Sequence, residues 1–227
     1  MKITYHGHAC FTVEDANHAI IIDPFLSGNP GADLTPDKVK VDAILLSHGH
    51  GDHVGDTEAI AKANDATIVA PFELAMHFAH KGFKAHPMHL GGSHVFEFGK
   101  VKLTLAFHGS GIEAGDHMEY AGNPCGFLIT MGQKTFYHAG DTGLFGDMKI
   151  IGEYNEIDAA ALPIGDNFTM GPEDALLAAQ WVHAKATIPM HYNTFDLIKQ
   201  DASKFAADLE GKGLHAVVLS VGQSYEV

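Results

Sequence analysis

The sequence predicts a layered domain built from β-sheets and α-helices, because strand-like and helix-like segments alternate along its 227 residues. Short apolar runs rich in β-branched residues, such as 41–46, are typical of buried strands. Proline or acidic residues stand where helix-like segments begin, as Pro172 does before Glu173 and Asp174. No short repeat or low-complexity tract interrupts this order.

The pattern of the first half of the chain predicts five strands and two helices. Proline ends the third strand, and the stretch 26–40, rich in Gly, Pro and Asp, is predicted to be a loop. Asp56 is a candidate N-cap for the first helix, whereas Pro71 stands in the first turn of the second and Gly82 follows its end. The predicted strands are 3–5, 10–13, 18–24, 41–46 and 67–70, and the predicted helices are 56–64 and 71–79.

The second half of the chain continues the alternation. Residues 101–107 alternate with the period of a strand and end at His108. The glycine-rich stretch 109–123 is predicted to be a loop, and a hairpin is predicted about Gly132 and Gln133. The other predicted strands are 126–131, 135–137, 158–164, 187–190 and 216–220, and the predicted helices are 172–183 and 195–209.

Composition and charge limit the function. With 46% hydrophobic residues, the range 1–227 is expected to form a single domain with a full core, or two fused halves. The formal net charge of −14 disfavours duplex nucleic acid as a partner, although metal ions could supply local positive charge to a nuclease. No apolar run is long enough to span a membrane and no signal peptide is visible, so a cytoplasmic protein without membrane contact is expected. Cys10 and Cys125 lie far apart and are expected to be buried thiols.

The chemistry is concentrated in the stretch 48–53, where three histidines and one aspartate fall within six residues. Glycines at 49 and 51 let the chain curl after the apolar strand, so that these side chains converge. Because the chain has 17 histidines, one close pair would mean little. Four donors in one loop predict a metal site, since neutral imidazole and carboxylate are usual ligands of zinc and its neighbours. The donors are His48, His50, Asp52 and His53.

This loop, His48-x-His50-x-Asp52-His53 after an apolar strand, resembles the signature loop of the metallo-β-lactamase superfamily, a group of mostly dinuclear metallohydrolases. Matching elements run from about residue 40 to 195 in the expected order. The resemblance implies an α+β fold of the metallo-β-lactamase type. That fold is a four-layer αββα sandwich of two pseudo-related halves, with metals at the sheet edge.

The same resemblance implies the remaining ligands. A lone histidine at His108, a Gly-Asp-Thr element containing Asp141, and a late histidine after a strand at His191 match the family pattern. By their own context, His108 could instead be a polar strand end and Asp141 a turn residue. The implied assignment places His48, His50 and His108 on one metal ion and Asp52, His53 and His191 on the other, with Asp141 bridging both.

Two further segments, 7–11 and 162–172, resemble a branch of metal-dependent hydrolases in this superfamily, of the UPF0173-like type. The second segment is a candidate substrate wall, with a plain strand-to-helix connection as the alternative. Candidates for contacting substrate or orienting a metal ligand are His8, His138, Asn167 and Phe168. His138 could equally be a packed histidine.

The predicted ligands favour hydrolysis at a dinuclear metal centre. Two divalent cations sharing a water lower its pKa and present a bridging hydroxide as nucleophile, and Asp52 would also orient that water. The expected substrate is a small molecule or short nucleotide with an ester-type bond, whether phosphodiester, lactone or carboxylic ester. Zn²⁺ is favoured, with Mn²⁺, Fe²⁺ or Ni²⁺ as alternatives, and a homo-oligomer is left open.

Two other functions are alternatives at this stage. Some members of the superfamily hold iron and act as oxidoreductases, but these replace the second histidine of the loop, here His50, by glutamate and carry a flavin domain. The other alternative is a non-catalytic metal-binding protein. Against it, seven donors shared by two ions leave open positions, which a structural site would close.

Overall fold

Two mixed β-sheets face each other in the computed structural model, which describes residues 1–227, and α-helices cover their outer faces. The strands are β1 (Lys2–Tyr5), β2 (Phe11–Glu14), β3 (Ala19–Ile22), β4 (Ala43–Leu45), β5 (Thr67–Pro71), β6 (Ala85–Met88), β7 (Ser93–Phe96), β8 (Gly99–Leu105), β9 (Gly111–Ala114), β10 (His117–Tyr120), β11 (Cys125–Met131), β12 (Lys134–His138), β13 (Ala159–Pro163), β14 (Thr187–Met190) and β15 (Ser224–Glu226). The α-helices are α1 (Gly51–Val54), α2 (Thr57–Asn64), α3 (Phe72–His80), α4 (Met148–Tyr154), α5 (Pro172–Val182) and α6 (Ala202–Glu210). This is the predicted α+β sandwich of four layers.

Both sheets combine an antiparallel part with a parallel part. The first has the order β15-β1-β2-β3-β4-β5-β6, and its strands from β3 to β6 are parallel. The second has the order β14-β13-β12-β11-β8-β7, and its strands from β12 to β14 are parallel. A separate hairpin joins β9 to β10. Parallel strands deliver their carboxyl ends to one edge of a sheet, where ligands commonly bind.

Strand β3 shows how the layers are held together. Ile20 and Ile22 belong to the core of 40 buried residues between the sheets, whereas Ile21 belongs to a second core under the helices. Successive side chains of a strand point to opposite faces, so consecutive isoleucines suit a strand that is covered on both sides. In the second core, Ile21 lies with Ile60 of α2 and Phe78 of α3.

Helix α5 begins as predicted, with Pro172 at its first position and acidic residues in its first turn. The predicted helix 195–209 is wrong in its first part, because residues 196–198 form one 3-10 turn and α6 begins only at Ala202. The carboxylate of Asp201 accepts hydrogen bonds from the N–H groups of Ser203 and Lys204. This cap starts a separate helix, which the apolar spacing alone did not indicate.

Three other local predictions differ from the structure. The loop predicted at 109–123 contains the hairpin of β9 and β10, because strand pairing depends on the partner strand more than on glycine content. The strand predicted at 216–220 is reduced to a bridge between Thr187 and Ala216, and β15 pairs with β1 instead. Asp56 precedes α2, but its carboxylate accepts hydrogen bonds from Leu26 and Ser27 rather than capping the helix.

Both cysteines are buried free thiols, as the sequence predicted, and burial raises the pKa of Cys10 and Cys125 well above the usual value. None of the six α-helices combines the length and apolar character that crossing a bilayer requires.

Candidate metal centre

The predicted ligands meet at the edge where parallel strands of both sheets end. His48 follows β4, Asp141 follows β12, and His191 follows β14. The carbonyl of Ser47 accepts a hydrogen bond from the N–H of Cys125, the first residue of β11, and this bond joins the histidine loop to the second sheet. All seven predicted ligands therefore lie in one cluster: His48, His50, Asp52, His53, His108, Asp141 and His191.

The first group of donor atoms comes from His48, His50 and His108, which lie within 4.8 Å of one another. His48 Nε2 is 2.9 Å from His50 Nδ1. Two nitrogens bound to one tetrahedral zinc ion, each about 2.0–2.1 Å from it, would lie about 3.3 Å apart. The spacing of these nitrogens is therefore close to that of one coordination shell.

The second group comes from Asp52, His53 and His191, and the structure adds His8 to it within the same 4.8 Å. Asp52 and His53 lie in α1, the short helix that follows the strand-loop segment. The ring of His191 lies against that of His8, with centroids 4.0 Å apart. The N-terminal turn thus contributes a fourth side chain to this group.

Asp141 lies between the two groups with its carboxylate buried. Its Oδ2 is 3.0 Å from His191 Nε2, 3.3 Å from His53 Nε2 and 3.7 Å from His108 Nε2. One carboxylate oxygen therefore faces histidines of both groups. This is the position that a bridging ligand would need.

Asp23, a carboxylate that is not among the predicted site residues, orients two of these histidines. Its Oδ2 accepts hydrogen bonds from His53 Nδ1 at 2.8 Å and from Ser47 Oγ at 2.6 Å, and its Oδ1 accepts from the N–H of Ser47. Ser47 Oγ in turn accepts from His48 Nδ1 at 2.9 Å. With Nδ1 engaged in both rings, Nε2 of His48 and of His53 faces the cluster and is the atom that a metal ion would bind.

Asp23 could have been found from the sequence. It directly follows the apolar residues of β3, which pairs parallel to β4, the strand that leads to His48. Aspartate at the carboxyl end of a buried parallel strand is a signal for a site at that edge. The local pattern alone predicts only that the segment 18–24 is a strand that proline ends.

Both ring nitrogens of His8 form hydrogen bonds. Its Nε2 lies 3.1 Å from Asp52 Oδ2 and its Nδ1 lies 2.9 Å from Thr194 Oγ1. Burial lowers the pKa of His8 to about 4, so the ring is neutral near pH 7, donates from Nε2 and accepts at Nδ1. The carbonyl of His8 also accepts the N–H of His191 at 2.7 Å. His8 therefore holds two predicted ligands, Asp52 and His191, in place.

Three residues of this region have left-handed backbone angles although none is glycine. The φ angles are +45° at Asp23, +56° at His8 and +54° at His191. Such conformations cost about 1–3 kcal/mol each and persist where the surrounding structure imposes them. Their coincidence with the donor cluster indicates that backbone strain is accepted here to aim side chains.

Burial and the neighbouring carboxylates set the charges of the donor histidines. Burial lowers the pKa of His48, His50 and His108, which leaves their imidazoles neutral. Burial would also lower the pKa of His53, but the carboxylates of Asp141 and Asp23 outweigh this effect and raise it well above the usual value. The two carboxylates that flank the His53 imidazole therefore stabilise a positive charge at this position.

Buried polar atoms without hydrogen bonds are a second observation that fits bound metal ions. His53 Nε2, His191 Nε2 and Asp141 Oδ1 are buried, and none of them is aligned for a hydrogen bond, although both nitrogens lie near Asp141 Oδ2. Buried polar atoms are almost always paired, and each unpaired atom costs about 1–3 kcal/mol. These atoms come from three segments and belong to residues of one cluster. Cations held there would give them partners.

Two glycines let the backbone come close around the cluster. A Cβ at Gly49 would lie 2.9 Å from the carbonyl oxygen of Gly111, and at Gly140 it would collide with the carbonyl of Cys125. Gly140 also has a φ of +64°, which side chains disfavour. Gly140 immediately precedes Asp141, so the close approach of β11 helps to position that carboxylate.

The other predicted site residues lie outside the donor cluster. His138 is buried, donates from Nε2 to the carbonyl of Ala9 and accepts the N–H of Gly140 at Nδ1. It is thus a packed histidine that joins the N-terminal turn to the strand before Asp141. Asn167 and Phe168 are exposed on the loop that follows β13, in which Gly165 packs against the backbone of His191.

Comparison with known proteins adds independent information. The family model described as a β-lactamase superfamily domain matches residues 2–191. The UPF0173 metal-dependent hydrolase YtkL of Bacillus subtilis (strain 168) is 59% identical over 229 residues, which cover 100% of both chains. A UPF0173 metal-dependent hydrolase of Bacillus cereus (strain ATCC 10987 / NRS 248) is 61% identical over 221 residues, 95% of this chain and 97% of that one. Igni18, a metallo hydrolase from the archaeon Ignicoccus hospitalis KIN4/I, has a solved structure with a TM-score of 0.90 and 34% identity, covering 100% of this chain and 98% of that one.

Proposed function

The chain belongs to the β-lactamase superfamily, in its group of UPF0173 metal-dependent hydrolases, and we propose that it cleaves an ester-type bond at a dinuclear metal centre. The position of Asp141 carries this proposal, because one buried carboxylate oxygen lies within 3.7 Å of histidines from both donor groups. A mononuclear site would need only one of these groups. Two divalent ions would instead use all seven donors.

In this proposal, one ion is held by His48, His50 and His108, and the other by Asp52, His53 and His191. Asp141 would bind both ions and offset part of their mutual repulsion. Zn²⁺ is the favoured ion because the donor set is rich in imidazole nitrogen, with Mn²⁺, Fe²⁺ or Ni²⁺ as alternatives. When bound, such ions supply a water of lowered pKa and stabilise negative charge that develops on the substrate.

The protein's own groups would set the geometry. Asp23 fixes the tautomers of His48 and His53, directly or through Ser47, so that Nε2 of each ring is free to bind. Neutral His8 has no free lone pair, so it is proposed to orient Asp52 rather than to be a ligand. With Oδ2 of Asp52 engaged by His8, Oδ1 remains to bind a metal ion and to orient a water molecule.

The hydrogen bond from His8 also affects the charge of Asp52. The Asp52 carboxyl is about two-thirds buried, which raises its pKa, but the His8 hydrogen bond and nearby His53 outweigh burial and lower it below the usual value. Asp52 would therefore stay ionised throughout the range in which a hydrolase works. An ionised carboxylate can both bind a cation and accept a proton from water.

Metal content per chain tests the dinuclear assignment. Protein loaded with zinc and then freed of excess should carry about two ions, and His48→Ala and His191→Ala should each carry about one, because each removes a ligand of a different ion. His117→Ala is the matched control, since His117 lies exposed on the hairpin away from the donor groups. Unchanged metal content in both ligand variants would contradict the assignment.

A visible spectrum of the protein purified without added metal separates the proposal from the iron oxidoreductase. An iron-dependent absorption band with oxygen-consuming activity would favour that alternative. Hydrolysis of 4-nitrophenyl acetate or bis(4-nitrophenyl) phosphate that requires a colourless divalent ion would support the hydrolase.

A further inference from the structure

Two phenylalanine rings stand beside the second donor group. Phe25 and Phe195 come from loops 170 positions apart, and their ring centroids are 6.3 Å apart. Both rings meet the imidazole of His8 edge-on, at 5.6 Å for Phe25 and 5.4 Å for Phe195. His8 is bonded to Asp52, so a single imidazole separates this apolar wall, Phe25 and Phe195, from a proposed metal ligand.

The apolar wall is open to solvent. Phe195 is 39% exposed and Phe25 is half-buried, although both are large apolar side chains. Beside the other donor group, Phe107 directly precedes His108 and is 70% exposed, and its N–H and carbonyl are bonded to Thr142 and Gly143 next to Asp141. Single exposed apolar residues need no explanation, but exposed aromatic rings beside both donor groups of one centre do.

No lysine forms an ion pair with the carboxylates of the metal centre, Asp52 and Asp141. All 14 basic residues are lysines, because the sequence contains no arginine. The ionic partners of Asp52 and Asp141 are all histidines. The lysine nearest to Phe195 along the chain, Lys199, pairs with Asp196 at 2.7 Å. The donor carboxylates are therefore paired with no lysine, and the chain has no arginine for the bidentate contacts that often hold a phosphate group.

We infer that the substrate is a carboxylic ester with an uncharged apolar group that lies against Phe25 and Phe195. This inference rests on the proposed hydrolase function and narrows its substrate class. The ester carbonyl would lie at the metal centre, and water would be added across the acyl carbon–oxygen bond to give a carboxylic acid and an alcohol. The apolar group would cover the exposed part of the Phe195 ring, which removes apolar surface of both molecules from water.

Two series of carboxylic esters with alkyl chains of increasing length test the inference. With the zinc-loaded protein, kcat/KM should rise from acetyl to hexanoyl in 4-nitrophenyl esters, or from methyl to hexyl in alkyl acetates. The expected rise is about fourfold for each methylene that is buried, and at least about tenfold over the series. Phe195→Ala should flatten the dependence to about twofold or less, and Phe195→Leu should retain most of it. Tyr154→Ala is the matched control, because Tyr154 is an exposed aromatic residue on α4 that touches no donor group.

A binding measurement gives a readout that needs no turnover. Calorimetric titration of the zinc-loaded protein with hexanoate and with acetate, both possible products, should show tighter binding of hexanoate in the parent protein. Phe195→Ala should lose most of that difference. Equal affinities for the two carboxylates in the parent would count against the apolar wall.

The outcomes separate the inference from the proposed function. Two zinc ions per chain with faster cleavage of bis(4-nitrophenyl) phosphate than of any carboxylic ester would overturn the inference and leave the hydrolase proposal intact. A kcat/KM that does not depend on alkyl chain length would also overturn the inference. So would a Phe195→Ala variant that keeps the chain-length dependence and changes only the oligomeric state measured by sedimentation. Absence of both zinc binding and hydrolysis would refute the two together.

Discussion

Replacing Asp23 by asparagine tests how the metal centre is built, because it preserves shape and removes one acceptor. Oδ2 of Asp23 now accepts from both Ser47 Oγ and His53 Nδ1. An amide nitrogen in that position can only donate. The Ser47 hydroxyl can turn to accept from it, but His53 Nδ1 can keep a hydrogen bond only by losing its proton.

The substitution should weaken the binding of only one of the two proposed ions. A neutral His53 with Nδ1 unprotonated carries its proton on Nε2, which then has no lone pair for a metal ion. His48 keeps Ser47 Oγ as the partner of its Nδ1. We therefore expect about 10- to 100-fold weaker binding of the ion held by His53, and little change for the ion held by His48. The loss of a buried hydrogen bond to a charged acceptor should also lower the free energy of unfolding by about 2–3 kcal/mol.

Competitive titration with a zinc chelator measures the two affinities, and urea denaturation measures stability. Asp42→Asn is the matched control, because Asp42 also bonds a histidine Nδ1, that of His18 at 3.1 Å, but at an exposed position away from the donor groups. The control should bind both ions normally. Equal weakening of both ions in Asp23→Asn, or no weakening of either, would refute the tautomer argument.

Three further predictions concern stability. Gly140→Ala should lower the free energy of unfolding by about 2 kcal/mol or more in urea denaturation, because its φ is +64° and a Cβ would collide with the carbonyl of Cys125. Asp158→Asn should lose about 1–2 kcal/mol at pH 7, since Asp158 is buried and accepts from Lys134, Lys185 and the N–H of Thr135. Burial raises the pKa of Asp158, but these hydrogen bonds outweigh it and lower the value, so the parent's advantage should be present above about pH 4 and vanish as the pH falls through the lowered pKa. Removal of metal with a chelator should lower the melting temperature, and zinc should restore it in a concentration-dependent way, because ions that bind only the folded chain stabilise it. A melting temperature indifferent to both treatments would contradict the metal centre.

Much of the layout could be predicted from local pattern. Strand periodicity and Pro172 at a helix start depend on neighbours within a few residues, and the structure has the predicted β8 and α5 in place. The histidine loop was recognisable for the same reason, since its donors follow one another within one turn of chain. Segments whose structure depends on distant partners were missed, such as the hairpin of β9 and β10 and the pairing of β15 with β1.

The sequence by itself determined the kind of chemistry, because imidazoles and carboxylates at strand ends are metal donors in any fold that brings them together. Only the tertiary structure decided which other residues serve them. Asp23 reaches His53 because β3 and β4 are neighbours in one sheet, and His8 reaches Asp52 because the N-terminal turn packs against His191. These contacts join residues 30 and 44 positions apart. Hydrogen bonds act over about 3 Å in space, and sequence spacing does not record which residues they join. The position of Asp23 at a strand end marks it as a site residue, but its pairing with His53, like that of His8 with Asp52, became visible only in the folded chain.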